Sequence, residues 1–139
     1  MVPSAERIDE HELNNLFEEV GFPRRNPERL RCALDYTFEL VGLEEAASGR
    51  LLGFARATSD GGNHATIWDV VIHPSRQKRG LGRALVELMI HRVLERDIPV
   101  VNLYAEPHII SFYKPLGFEV VPNSKSMSYI KPRKMFTVW

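Results

Sequence analysis

The sequence of 139 residues has a single cysteine, Cys32. It can form no intramolecular disulfide and no cysteine-based zinc site, and a lone thiol fits a reducing, cytoplasmic setting. There is no surplus charge of either sign. Lys+Arg and Asp+Glu both number 18, for a formal net charge of zero. A general nucleic-acid binder carries a basic excess, so neutrality argues against a nucleic-acid partner, though not against a local basic patch. No apolar run approaches the ~18 residues that a membrane span needs, and the opening residues MVPSAERIDEHEL lack the apolar core of a secretory signal. Repeats, low-complexity tracts and linkers are also missing. What is left is a soluble, intracellular chain whose length fits one domain over residues 1–139.

Periodicity supplies the elements. Leu13, Leu16, Phe17 and Val20 repeat with helical spacing after Asp9, a suitable N-cap with Glu12 three residues on as a capping box, and Gly21 stops that helix. Asn26 and Pro27 suit the cap and first position of a second helix. TFELVGLEE and RLLGFARAT predict strands joined at AASG, and DGGN is a further turn. HATIWDVVIHP is nearly continuous in apolar residues and predicts a central strand. Leu81, Leu85, Leu88, Met89 and Val93 predict a helix ending by Asp97. IPVVNLYAE reads as a second interior strand, PHIISFYKPLG as a short helix closed by Gly117, FEVVP as a strand and the tail as an edge strand. This order implies an α/β or α+β fold in three layers.

The stretch RQKRGLGRAL, Arg76 to Leu85, lies between the central strand and the helix after it. A helix N-terminus offers unpaired N–H groups and a positive dipole end, and glycine lets the backbone approach an anion. Gln77, Lys78, Arg79, Gly80, Leu81 and Gly82 thus read as a pyrophosphate cradle, with Arg76 and Arg83 adding charge. The P-loop pattern fails because Arg83-Ala84 follows the second glycine, and G-x-G-x-x-G fails because its third glycine is Leu85. Taken alone, the glycines fit a tight strand-to-helix turn equally well.

Q-x-x-G-x-G after a central strand, with IISFYKPLGFE downstream, resembles the two signatures of the GNAT superfamily of acyl-CoA N-acyltransferases. The resemblance runs from Asp9 to about Pro122 and is nearest to the subfamily of plant plastids and cyanobacteria, which includes serotonin N-acetyltransferases and enzymes that acetylate protein amines; Phe22-Pro23-Arg24-Arg25 shares it. It implies a central mixed, mostly antiparallel sheet with helices on both faces, whose first strand is short or missing before Asp9. It implies acetyl-CoA as co-substrate, a small-molecule or protein amine as acceptor, direct attack in a ternary complex, and a possible homodimer. Val70, Val71 and Ile72 match the backbone that carries pantetheine and polarises the thioester. Asn102 matches a cofactor contact.

In the same resemblance Tyr113 matches the acid that protonates the leaving thiolate, beside the cofactor; a phenol stays protonated at neutral pH. Glu106, seven residues earlier, stands where the subfamily usually has Asp and is the candidate base, against an ordinary helix-start carboxylate. Asp69, inside TIWDVVI, is either partnered or functional because unpaired burial is costly, and it could bind the amine or act as an alternative base. His64 and His73 fall at a turn and a strand end. His91 and His108 lie on helices without a second ligand at metal spacing, so no metal is assigned.

Overall fold

The computed structural model describes residues 8–131. In chain order these form α1 (Glu10–Glu19), α2 (Pro27–Asp35), β1 (Glu39–Glu44), β2 (Leu51–Ser59), β3 (His64–Ile72), α3 (Leu81–Glu95), β4 (Val100–Asn102) and α4 (Ile110–Tyr113). They fall into two compact units, divided between Ala105 and Glu106.

The first unit is built on an open sheet of order β1-β2-β3-β4. Its first three strands are antiparallel and β4 runs parallel to β3. The sheet is mixed and mostly antiparallel, as the family resemblance implies. One face is covered by α1 and α2, whose Leu13, Leu16, Phe17, Leu30 and Leu34 form one buried cluster with Leu40, Phe54 and Val71 of the strands. A separate buried set on α3, Leu85, Val86, Met89 and Val93, packs against β1, β2 and β3. Each such side chain contributes about 1.5–3 kcal/mol by leaving water, so the two helical layers hold the sheet from both sides.

Local chemistry sets the helix ends. Asp9 accepts the His11 N–H at 3.3 Å, and Gly21 takes φ +89° just past α1, a left-handed value that a glycine adopts without strain. Asn26 accepts the Arg29 N–H at 3.0 Å, with Pro27 opening α2. The capping box is not formed. Glu12 turns to β2 instead and accepts the Leu51 N–H at 2.7 Å. The β1–β2 register slips at Leu43/Glu44, where Leu51 enters the ladder. A buried N–H at such a slip needs an acceptor, and Glu12 supplies it.

β3 lies inside the sheet as predicted, but β4 does not. Among the described residues it is the edge strand, three residues long, with Val100 and Asn102 exposed. Apolar content alone does not separate an edge strand from an interior one. What fixes β4 is the pairing, which stops at Thr66 and Asn102.

In the second unit, turns at Pro107–Ile109 and Lys114–Leu116 flank α4, and Gly117 closes the segment. FEVVP and the tail as far as residue 131 are predicted strands that the described residues do not form. Residues 118–131 are irregular, with Val121, Met127, Tyr129 and Ile130 exposed. Alternating apolar residues make a strand only where a neighbour completes the ladder, and these find none among the described residues. The end of the tail and the strand expected before Asp9 lie outside the described residues.

Candidate active site

β3 carries the centre of the first unit's site. It pairs with β4 only from His64 to Thr66, so its edge from Ile67 to Ile72 has no strand partner among the described residues. At the fork, Thr66 donates its hydroxyl to Asn102 Oδ1 at 2.6 Å. On its other edge β3 holds one extra residue: Phe54 pairs with Val71 and Arg56 with Trp68, leaving Asp69 and Val70 opposite Ala55. Asp69 takes φ +59° there. This is a β-bulge, a device that re-aims the strand after it, and Val70, Val71 and Ile72 follow.

Asp69 is partnered. Its carboxylate accepts from Arg25 at 2.7 and 2.8 Å, one bond to each oxygen, and from Arg56 Nε at 2.7 Å. Burial pushes its pKa up, but the hydrogen bonds and charges of the two guanidinium groups outweigh this and hold it below the usual carboxylate range. Such a carboxylate is a poor proton acceptor at neutral pH. Asp69 in turn raises Arg25.

The loop after β3 runs from His73 through a turn at Pro74–Arg76 to α3. The backbone enters the left-handed region twice, at Lys78 with φ +62° and at Gly80 with φ +77°. Gly80 is the N-cap of α3, and its carbonyl takes the Ala84 N–H at 3.0 Å. Ahead of that first bond, the N–H groups of Leu81, Gly82 and Arg83 have no helical partner, the arrangement that suits an anion. Gln77 supports the loop through its side chain, which donates to Ile72 O at 2.9 Å, while its own N–H points to Pro74 O. The flanking charge is smaller than the sequence suggests. Arg76 pairs with Glu45 at 2.6 Å and Arg83 with Glu87 at 2.7 Å, leaving Lys78 and Arg79 as the cations without an ion pair among the described residues.

The second unit holds the other two candidates. Glu106 precedes the turn at Pro107–Ile109 without capping it through its side chain, and lies 3.4 Å from His108 Nδ1, both exposed. Tyr113 is half-buried, edge-on to Phe112 and Phe118, and burial raises its pKa above the ordinary value, so its hydroxyl keeps its proton through the neutral range. Two further histidines have local partners. His73 Nδ1 receives the Ser75 N–H at 3.0 Å, its other face meeting Glu19 and Arg50, and His91 pairs with Glu95.

The sequence reading missed Arg25, Arg56, Trp68 and Tyr104. Arg56 and Asp69 are lone charges within apolar runs of neighbouring strands, and that coincidence is a signal for a buried pair. Trp68 shares the Arg56 face, donates from Nε1 to Thr58 at 2.8 Å and lies 5.5 Å from the Tyr104 ring. No spacing rule brings residues 68 and 104 together.

The family model described as the acetyltransferase (GNAT) family matches residues 7–118. The chain belongs to this family. It is an acyltransferase, and the match extends across both units. The chain is 43% identical over 135 residues to serotonin N-acetyltransferase 2, chloroplastic, of Oryza sativa subsp. japonica, covering 94% of this chain and 67% of that one. It is 40% identical over 132 residues to GCN5-related N-acetyltransferase 1, chloroplastic, of Arabidopsis thaliana, with the same coverage, 94% and 67%. In fold it is similar to a GNAT family acetyltransferase from Streptococcus pneumoniae, with TM-score 0.75 and 23% identity over 91% of this chain and 93% of that one. These relatives bear out the plastid and cyanobacterial GNAT subfamily. They overturn the cytoplasmic expectation, since both plant relatives are named as chloroplastic and point to the plastid. One cysteine marks no particular reducing compartment, and the lack of an apolar run near residue 1 does not bear on a transit peptide. No helix among the described residues is long and apolar enough to cross a membrane.

Proposed function

We propose that this GNAT enzyme transfers the acetyl group of acetyl-CoA to a primary amine, with an arylalkylamine of the serotonin type as acceptor. The observation that carries the reading is the edge of β3 from Ile67 to Ile72, which has no strand partner among the described residues and runs into an anion-ready helix start. Lys78 to Arg83 receive the diphosphate, Val70 to Ile72 and Asn102 receive pantetheine, and backbone N–H groups of the re-aimed strand polarise the thioester carbonyl. Trp68 and Tyr104, exposed and paired on the Arg56 face, support an aromatic acceptor over a lysine side chain or a protein N-terminus. The name of the rice relative points the same way.

In the proposed reaction the amine nitrogen bonds to the thioester carbon and the C–S bond breaks. Glu106 takes the proton that the amine sheds, and Tyr113, which also adjoins the cofactor, gives its hydroxyl proton to the thiolate. Asp69 is assigned to the bulge and not to proton transfer, because both its oxygens are taken. We read both units as one N-acetyltransferase domain working in the plastid, and the family match across both supports this. The acceptor assignment is tested by comparing kcat/KM for arylalkylamines, polyamines and lysine peptides in the wild type and in Trp68→Ala. An aromatic preference that collapses in the variant is expected, and a preference for lysine peptides that survives it refutes the aromatic acceptor.

A further inference from the structure

We infer that Arg25 is a positioning residue for acetyl transfer, a clamp from the α1–α2 loop that fixes the bulge of β3 through Asp69. The inference rests on the proposed transfer reaction, in which the strand after the bulge presents its N–H groups to the thioester.

Four observations converge on it. First, Asp69 sits in mid-strand at φ +59°, a conformation that a residue with a Cβ holds only when its surroundings determine it. Second, the determining contacts are here: Arg25 forks onto both carboxylate oxygens at 2.7 and 2.8 Å, a two-point grip that sets orientation as well as position. Arg56 adds a third bond from β2, at 2.7 Å to Oδ2. Third, Arg25 is itself held. Asn14 of α1, 1% exposed, receives the Arg25 N–H at 2.9 Å and donates to the Arg25 carbonyl at 2.8 Å, using both ends of its amide. The Arg25 guanidinium lies 4.4 Å from the centre of the Phe17 ring, which is fully buried. Fourth, the bulge lies beyond the last β3–β4 pair at Thr66 and Asn102, so among the described residues the strand there has ladder support on one edge only. The chain Asn14, Arg25, Asp69 supplies the missing constraint.

A clamp and a merely stabilising ion pair give different results. Arg25→Ala and Arg25→Lys in the full chain are compared with wild type for kcat, for KM of both substrates, for CoA affinity by calorimetry, and for amide hydrogen exchange at residues 69–72. Displacement by about 1 Å can cost about 10²-fold in rate, so Arg25→Ala is expected to lose about that factor in kcat while CoA affinity, which also rests on the untouched diphosphate loop, falls by much less. Exchange at residues 69–72 should rise, with α3 unchanged. Arg25→Lys keeps the charge without the fork and should recover only part of the rate. Should Arg25→Ala not fold, Arg25→Lys alone carries the test, with the same split of kcat from affinity and the same local rise in exchange. Unaltered kcat, or exchange that rises equally throughout the unit, overturns the clamp. If wild type transfers no acetyl group, the proposed reaction fails, and unchanged exchange at 69–72 then refutes the clamp separately.

Discussion

At the scale of single residues, Tyr113 and Asp69 are shifted in opposite directions by different causes. Burial alone raises Tyr113, so its hydroxyl remains an acid through the whole neutral range. Tyr113→Phe should lower kcat by about 10²-fold or more, the range of a general acid, with CoA affinity unchanged in calorimetry; equal kcat removes it from the reaction. The raised value also makes folding stability fall as pH rises from about 10, because the unfolded phenol ionises first. Asp69 shows the reverse. Its folded pKa lies below the free value, so its contribution is complete above about pH 4 and is lost as pH falls through the folded pKa. Urea midpoints measured from pH 6 to pH 3 should fall more steeply in wild type than in Asp69→Asn, and parallel slopes would contradict the two-arginine assignment. Which residue in TIWDVVI was unusual could be read from the sequence, and the lone charge of Arg56 in the neighbouring strand hinted at one partner; that Arg25 was the other could not, because that depends on the loop which Asn14 holds in place.

At the scale of elements, the two glycines of the loop have separable roles. Gly80 has φ +77° and open space around its missing Cβ, so Gly80→Ala costs about 1–2 kcal/mol of backbone strain without a clash. Gly82 lies within α3, where Ala is the better helix former. Gly82→Ala should therefore leave thermal stability equal or higher while acetyl-CoA binding weakens, and calorimetry on the pair separates cradle from turn. Loss of stability at Gly82 with binding intact would favour the turn. At α2, Asn26→Ala should cost about 1 kcal/mol, read as a lower urea midpoint with activity per folded molecule retained. Caps and interior faces of helices were legible because they depend on near neighbours in sequence. Strands were legible up to β3. Beyond it the ladder depends on partners that the apolar pattern does not name, which is why β4 became an edge and FEVVP no strand.

At the scale of the molecule, zero net charge conceals a local asymmetry. Glu45 and Glu87 neutralise Arg76 and Arg83, and in the proposed site Lys78 and Arg79 are the loop cations that face the diphosphate. With two cations plus backbone N–H groups, cofactor affinity should fall with added salt, though less than in a site built on side-chain charge alone. The fold family was readable because two signatures at fixed spacing encode one strand, one loop and two helices together, and the match over residues 7–118 bears this out. The compartment was not readable, since nothing in a packed core depends on it. The most direct measurement is thiol release by the whole protein, with acetyl-CoA, an arylalkylamine such as serotonin, or both, and the product amine weighed by mass spectrometry. Free thiol and N-acetylated amine in equal amounts, formed only when both substrates are present, is the predicted result. No thiol with arylalkylamines, polyamines, lysine peptides or peptide N-termini would contradict it.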